Sequence, residues 1–287
     1  MNIVVDYDNL AFASEIEYAF CVLFSILGLD FTLRPLKDYD CLVSDPEDTL
    51  TIYYGDRFLP SAGGKCIYIR PSGFFGRHYL TSASAEPAVL PRTEDDVPIV
   101  FAAGSDGSSV FVKRFPQTVE TNADIVASSF FFLTRYEEAI SGGTDAFGRY
   151  PAEASLAYRH GLLNRPLVNE YAELLWSWIT HLFGGLVRRT CWHGKNCAFC
   201  LTHDVDHLER RYDNRPAAKA FLASCASGHP RRALYHGRVL TRRWFGPNPY
   251  NTFDYLLSLA KQYGIHSTFY FLVEPQHDIG CCGYPLD

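Results

Sequence analysis

The sequence predicts an α/β protein in two parts: an N-terminal mixed α/β and helical domain over residues 1–190, and the first part of an incomplete (β/α) barrel over residues 196–287. Three observations predict this class. Short β-branched and aromatic segments surround one helical stripe early in the chain, a helical zone follows, and a strand–helix–strand pattern comes last. The length of 287 residues also fits about two domains.

The N-terminal part contains one clear helix between several short strands. Apolar residues at Ile16, Phe20 and Leu23 fall on one face of a helix over 14–27, and Gly28 can end it. The strand segments are short, apolar and bounded by turn residues. They are predicted at 3–5, 31–33, 51–54, 67–69, 99–101 and 110–112.

A helical zone separates these strands from the last third of the chain. One helix is predicted over 124–140, before Gly142 and Gly143. A second is predicted to begin at Asn164 as its N-cap, with Pro166 in the first turn, and to end at Gly184.

The last third begins and ends with short apolar strands. Strands are predicted at 198–203 and 268–273, joined through a helix at 252–263, and residues 209–249 are predicted to be irregular and rich in arginine. Strand, helix and strand in this order predict parallel neighbours joined by a right-handed crossover, which is how a (β/α) barrel begins.

Composition and charge narrow the class of protein. The formal charge of −6 argues against a general nucleic-acid binder, because phosphate neutralisation needs a basic surface. No apolar run reaches the roughly 20 residues of a membrane span, and no basic segment precedes an apolar one as in a secretory signal. Nine cysteines do not form the spacing of a small disulfide framework. These features predict a cytoplasmic protein and leave the oligomeric state open.

Two carboxylates follow the first strand of the last third. Along an extended strand, Asp204 and Asp206 point to one face and Val205 to the other. The carboxyl end of a barrel strand is where such folds hold their active sites. Neighbouring carboxylates repel each other, and a divalent cation bound by one relieves that repulsion, which leaves the other free as a general base. A pair of aspartates that caps the following turn is the structural alternative.

The segment 199–206 resembles the first motif of polysaccharide deacetylases, carbohydrate esterase family 4, and 264–271 resembles the second strand of that family. Three upstream segments look like the N-terminal accessory domain found in one bacterial branch. They are 128–138, 147–153 and 163–170, so the resemblance extends over most of the chain from Asp124 onward.

The resemblance implies a metal-dependent hydrolase that removes acetyl groups from N-acetylated sugars or polysaccharide. Asp204 would be the general base and Asp206 a ligand of a divalent metal, most often zinc. The family completes its metal site with two histidines from a later motif, and His277 is the one histidine present after residue 272. We therefore expect a C-terminally truncated chain that binds metal poorly and has little or no activity.

Other residues of metal-binding type occur near this motif. His203 and His207 flank the aspartates, and Cys281–Cys282 form an adjacent pair. A zinc-like set lies just upstream, at Cys191, His193, Cys197 and Cys200, although Cys200 falls in the predicted strand.

Two other functions remain open. A phosphatase of the haloacid-dehalogenase type would use Asp204 as nucleophile and Asp206 as acid/base with magnesium, but it expects Thr or Val where Leu208 stands. The other alternative is a non-catalytic, glycan-binding remnant of a deacetylase.

Overall fold

The computed structural model describes residues 2–36, 48–56, 64–81, 84, 90–93, 95–104, 109–188, 195, 197–205, 215–245 and 251–271. The chain divides into two compact units, Met1–Lys195 (unit 1) and Asn196–Asp287 (unit 2). Both contain strands and helices, which confirms the mixed α/β class.

Unit 1 is built on a six-stranded sheet in the order β2-β1-β3-β4-β6-β5. The first five strands of that order run parallel, and β5 pairs antiparallel with β6 at one edge. The strands are β1 (Asn2–Tyr7), β2 (Thr32–Pro35), β3 (Thr49–Tyr54), β4 (Lys65–Ile69), β5 (Val112–Arg114) and β6 (Thr118–Thr121).

Three helices pack together to cover one face of this sheet: α1 (Ala13–Leu27), α2 (Ile125–Leu133) and α5 (Leu167–Leu182). In α1 the predicted apolar stripe is confirmed, because Ile16, Phe20 and Leu23 are fully buried. Each such side chain contributes about 1.5–3 kcal/mol relative to exposure. The helix ends where predicted, at Gly28, whose φ of 64° is left-handed.

The opposite face of the sheet carries a small second cluster of Tyr53, Cys66 and Tyr68, with Leu36 packed against it. Every residue of β3 is therefore buried, as expected for a central parallel strand covered on both faces.

One helix of unit 1 is long and apolar enough to cross a membrane, among the residues that the structure describes. It is the segment Leu10–Leu27 near the N-terminus. Length and composition of this kind also suit a core helix of a folded domain, and the buried stripe of α1 contacts α2 and α5.

Several features of unit 1 differ from the sequence expectations. Residues 99–101 are not a strand, and β6 was not anticipated. The helix predicted over 124–140 is two helices, α2 and α3 (Tyr136–Ser141), because Arg135 between them adopts a left-handed φ of 54°. Asn164 does not cap α5, which begins after Pro166. A short helix, α4 (Leu156–Arg159), lies between α3 and α5.

Unit 2 contains a two-stranded parallel sheet of β7 (Leu201–Val205) and β8 (Ser267–Phe271). Helix α8 (Phe253–Gln262) lies between them in the chain, and its Phe253 contacts Phe269 and Phe271 of β8. The predicted parallel pairing is confirmed, but β7 begins at Leu201 rather than residue 198.

The region predicted to be irregular is largely helical. It contains α6 (Arg215–Ala226) and α7 (Pro230–Phe245), which pack against each other. The turn between them includes Gly228, whose φ is 69°. The expectation is wrong because alanine, arginine and leucine, which are frequent in this region, all favour a helix.

Hydrophobic burial differs between the units. The main buried cluster consists of residues between Ile3 and Leu182, all in unit 1. Among the described residues of unit 2, the buried ones are Ser224 and Ala260. Leu257 of α8 is 49% exposed.

Candidate functional site

The site predicted from the sequence lies at the carboxyl end of β7. Asp204 is the fourth residue of the strand, and its side chain is exposed. It pairs in register with Tyr270 of β8, which is 57% exposed. Asp206 lies outside the described residues. The structure therefore gives the position of Asp204 alone, and the prediction that the two aspartates share one face stays a prediction.

His203 occupies the other face of β7. Its ring stacks on Phe269, with centroids 4.6 Å apart and planes 22° apart. Its Nε2 lies 3.4 Å from the Ser267 hydroxyl oxygen. These contacts give His203 a packing role in the strand pair. Side chains alternate between the two faces of a strand, so the same packing presents Asp204 to solvent.

The remaining residues of metal-binding type are not assembled around Asp204 in the described part of unit 2. Cys197 and Cys200 are exposed thiols that precede β7, so the placement of Cys200 within the strand is wrong. The others lie outside the described residues: Cys191, His193, His207, His277, Cys281 and Cys282.

The described residues contain no group of three or more histidine, cysteine, aspartate or glutamate side chains that could hold a metal ion. A catalytic zinc generally takes three protein ligands. The described residues therefore do not by themselves form such a site, and Asp206 stays a predicted ligand.

A second polar cluster, which the sequence analysis missed, lies at the carboxyl edge of the sheet in unit 1. The chain reverses its direction of winding between β1 and β3, and ligands of doubly wound sheets bind at such a point. There the Asp8 carboxylate accepts hydrogen bonds from the Tyr53 hydroxyl, at 2.9 Å, and from the backbone N–H of Asp56, at 3.3 Å. The available signal was an aspartate at the end of each of two strands, Asp8 directly after β1 and Asp56 after β3 and Gly55.

A buried carboxylate lies farther along the same edge. Asp124 caps α2 by accepting from the Ala127 backbone N–H at 2.9 Å. It also accepts from the Tyr54 hydroxyl at 3.1 Å and from the backbone N–H and hydroxyl of Ser72 at 2.7 Å. Burial raises the pKa of Asp124, although the hydrogen bonds oppose that shift. Asp8 and Asp124 are thus held by protein donors, which is a structural role.

The model of a family of unknown function (DUF7033) matches residues 4–184, which lie within unit 1. No curated protein and no solved structure matches the chain.

Proposed function

The chain belongs to a family of unknown function (DUF7033), and from its own residues we propose that it is a metal-dependent carbohydrate deacetylase acting on N-acetylated sugars or polysaccharide. One observation carries this proposal. Asp204, in the Thr202–Asp206 motif, is exposed at the carboxyl end of a parallel strand whose neighbour β8 follows α8 in the chain. On this proposal β7, α8 and β8 are the beginning of a (β/α) barrel, whose active site lies at that end.

The reaction requires a base near the acetyl carbonyl. Water attacks the carbonyl carbon, a carboxylate accepts the proton of that water, and the bond to the sugar nitrogen breaks as the nitrogen gains a proton. Asp204 is suited to be this base, because its carboxylate is exposed and its strand is held in place by packing. Asp206 is the proposed metal ligand, and a bound divalent metal would polarise the carbonyl.

The aromatic neighbour of Asp204 also suits a sugar substrate. Tyr270 is exposed beside Asp204 in the register of the two strands. An exposed aromatic ring can stack on a pyranose ring, because the C–H groups of the sugar form an apolar patch. We assign Tyr270 as a substrate-contacting residue on this basis.

Acetate release from an N-acetylglucosamine oligomer tests the proposal. The purified 287-residue chain is loaded with zinc and compared with a protein-free zinc solution, because we expect slow turnover. Asp204→Asn should lower the zinc-dependent rate by about 100-fold or more, the usual effect of removing a general base. Asp254→Asn is the matched control, since Asp254 is another exposed carboxylate of unit 2, in the first turn of α8.

Three outcomes would contradict the proposal. A zinc-dependent rate that is the same in wild type and Asp204→Asn would remove Asp204 from the reaction. Magnesium-dependent hydrolysis of p-nitrophenyl phosphate, lost in Asp204→Asn, would identify a phosphatase instead. Oligomer binding without acetate release above background would identify a non-catalytic glycan-binding protein.

A further inference from the structure

The α6–α7 hairpin, residues 215–245, has a charge opposite to that of the rest of the chain. It contains six arginines, one lysine and no acidic residue. The whole chain has a formal charge of −6, so with +7 in the hairpin the remaining residues sum to −13. A charge asymmetry of this size within one chain points to an anionic partner for the basic segment.

The two helices of the hairpin pack mainly on each other. Gly237 of α7 faces Phe221 of α6, where a Cβ would lie 3.3 Å from the ring, so the glycine permits a close approach. Partly buried residues of α7 occur at Ala233, His236 and Leu240, spaced as one face of a helix. Among the described residues of α7, those on the other face are exposed.

That open face combines arginines with large apolar side chains. Arg231 and Arg238 are exposed, and Leu234 and Tyr235 between them are 58% and 65% exposed. The four residues follow the i, i+3, i+4, i+7 spacing of one helical stripe. In α6, Leu222 is also 64% exposed, close to the exposed Lys219. Basic and apolar groups thus alternate within single turns of about 5 Å.

We propose that the α6–α7 hairpin binds the surface of a membrane that contains anionic phospholipid. In a bilayer, phosphate groups lie directly above hydrocarbon, so a stripe with Arg231 and Arg238 beside Leu234 and Tyr235 contacts both layers at once. A nucleic acid offers the phosphates without an apolar layer for Leu222 and Leu234.

Vesicle sedimentation tests this inference with the full chain. We expect binding to vesicles of phosphatidylcholine and phosphatidylglycerol in equal parts, weak binding to pure phosphatidylcholine, and weaker binding as salt is raised. Arg231→Gln with Arg238→Gln should lower the partition coefficient by about 25-fold, at about fivefold for each basic side chain. The matched control is Arg77→Gln with Lys113→Gln, which removes two exposed positive charges from unit 1.

A second variant separates the membrane from other anionic partners. Leu234→Gln with Tyr235→Gln keeps the charge and changes exposed side chains, so folding should be preserved, which circular dichroism checks. It should weaken vesicle binding by about tenfold or more, because apolar burial contributes directly to partition. The proposal would be overturned if this variant bound vesicles as wild type does and if the wild-type chain bound a DNA duplex that the arginine variant did not bind. Those results would identify a nucleic-acid surface.

Lipid preference, the unit 1 control and self-association give three further results that would contradict the proposal. No preference for phosphatidylglycerol vesicles, or equal loss in the unit 1 control, would overturn the proposal. So would concentration-dependent self-association in sedimentation velocity that the arginine variant abolishes while vesicle binding is absent. None of these results depends on acetate release, so the inference stands or fails separately from the proposed deacetylase activity.

Discussion

The ring of His203 lies on the ring of Phe269, with centroids 4.6 Å apart, and this stacked pair joins β7 to β8 directly beside Asp204. His203 and Phe269 are register partners in the parallel ladder. A histidine adjacent to an Asp-x-Asp motif is easily taken for a metal ligand. In this structure its ring is already in contact with an aromatic neighbour and a serine, which indicates a packing role.

Replacement of His203 separates packing from metal binding. His203→Phe keeps an aromatic ring on Phe269, so we expect the zinc affinity of the chain to stay within about twofold of wild type. His203→Ala removes the stacked pair, which contributes about 0.5–1.5 kcal/mol. Hydrogen exchange should therefore become faster at the β7 amides in His203→Ala and stay unchanged in His203→Phe. Loss of zinc affinity in His203→Phe would instead make His203 a ligand.

Gly55 provides a test of the polar cluster at the carboxyl edge of unit 1. A Cβ at this position would overlap the Tyr53 hydroxyl and lie 2.6 Å from the Asp8 carboxylate. Tyr53 is 3% exposed and stacks on Tyr68, so it has little room to move. Gly55→Ala should lower the free energy of unfolding by about 1–3 kcal/mol, the cost of breaking the part-buried Tyr53–Asp8 hydrogen bond.

Gly184→Ala is the control for that measurement. An added Cβ at Gly184 would meet nothing within 4 Å. We therefore expect urea unfolding of Gly184→Ala to match wild type within about 0.5 kcal/mol. Equal stability of Gly55→Ala and wild type would mean that the Asp8 cluster is loosely held.

Asp124 should make the stability of unit 1 depend on pH. Its pKa in the folded chain is raised by burial, so folding favours the protonated form. The stabilising contribution is complete below the unfolded value of about 3.8 and is lost as pH rises through the folded pKa. In Asp124→Asn that part of the pH dependence should disappear. An identical pH profile in the two proteins, by urea unfolding at several pH values, would contradict this.

The two units should differ in local stability. The buried hydrophobic cluster lies between Ile3 and Leu182, whereas large apolar side chains of unit 2, such as Leu222 and Tyr263, are exposed. Amides of α1 and β3 should exchange at rates set by global unfolding, and those of α6 and α7 much faster. Limited proteolysis should first cut within unit 2. Equal protection of α1 and α7 would contradict this account.

The sequence predicted these elements unevenly, for physical reasons. The α1 stripe could be predicted because it depends on local periodicity and a left-handed glycine, and the β7–β8 pair because strand, helix and strand favour parallel pairing. The division at Arg135 could not, since a left-handed arginine has no clear local signature. The Asp8 cluster could not be predicted because Asp8 follows β1 whereas Tyr53 and Asp56 lie at the end of β3, and these segments meet only through the sheet order.

Zinc titration by calorimetry, on the wild-type chain and two variants, tests the central claim most directly. If Asp206 is the metal ligand and Asp204 the base, Asp206→Asn should weaken zinc binding by about tenfold or more, whereas Asp204→Asn should keep it within about twofold. Circular dichroism should show that both variants fold as wild type does. Equal zinc affinity in wild type and Asp206→Asn, or an equal loss in Asp204→Asn, would contradict the assignment of these two aspartates.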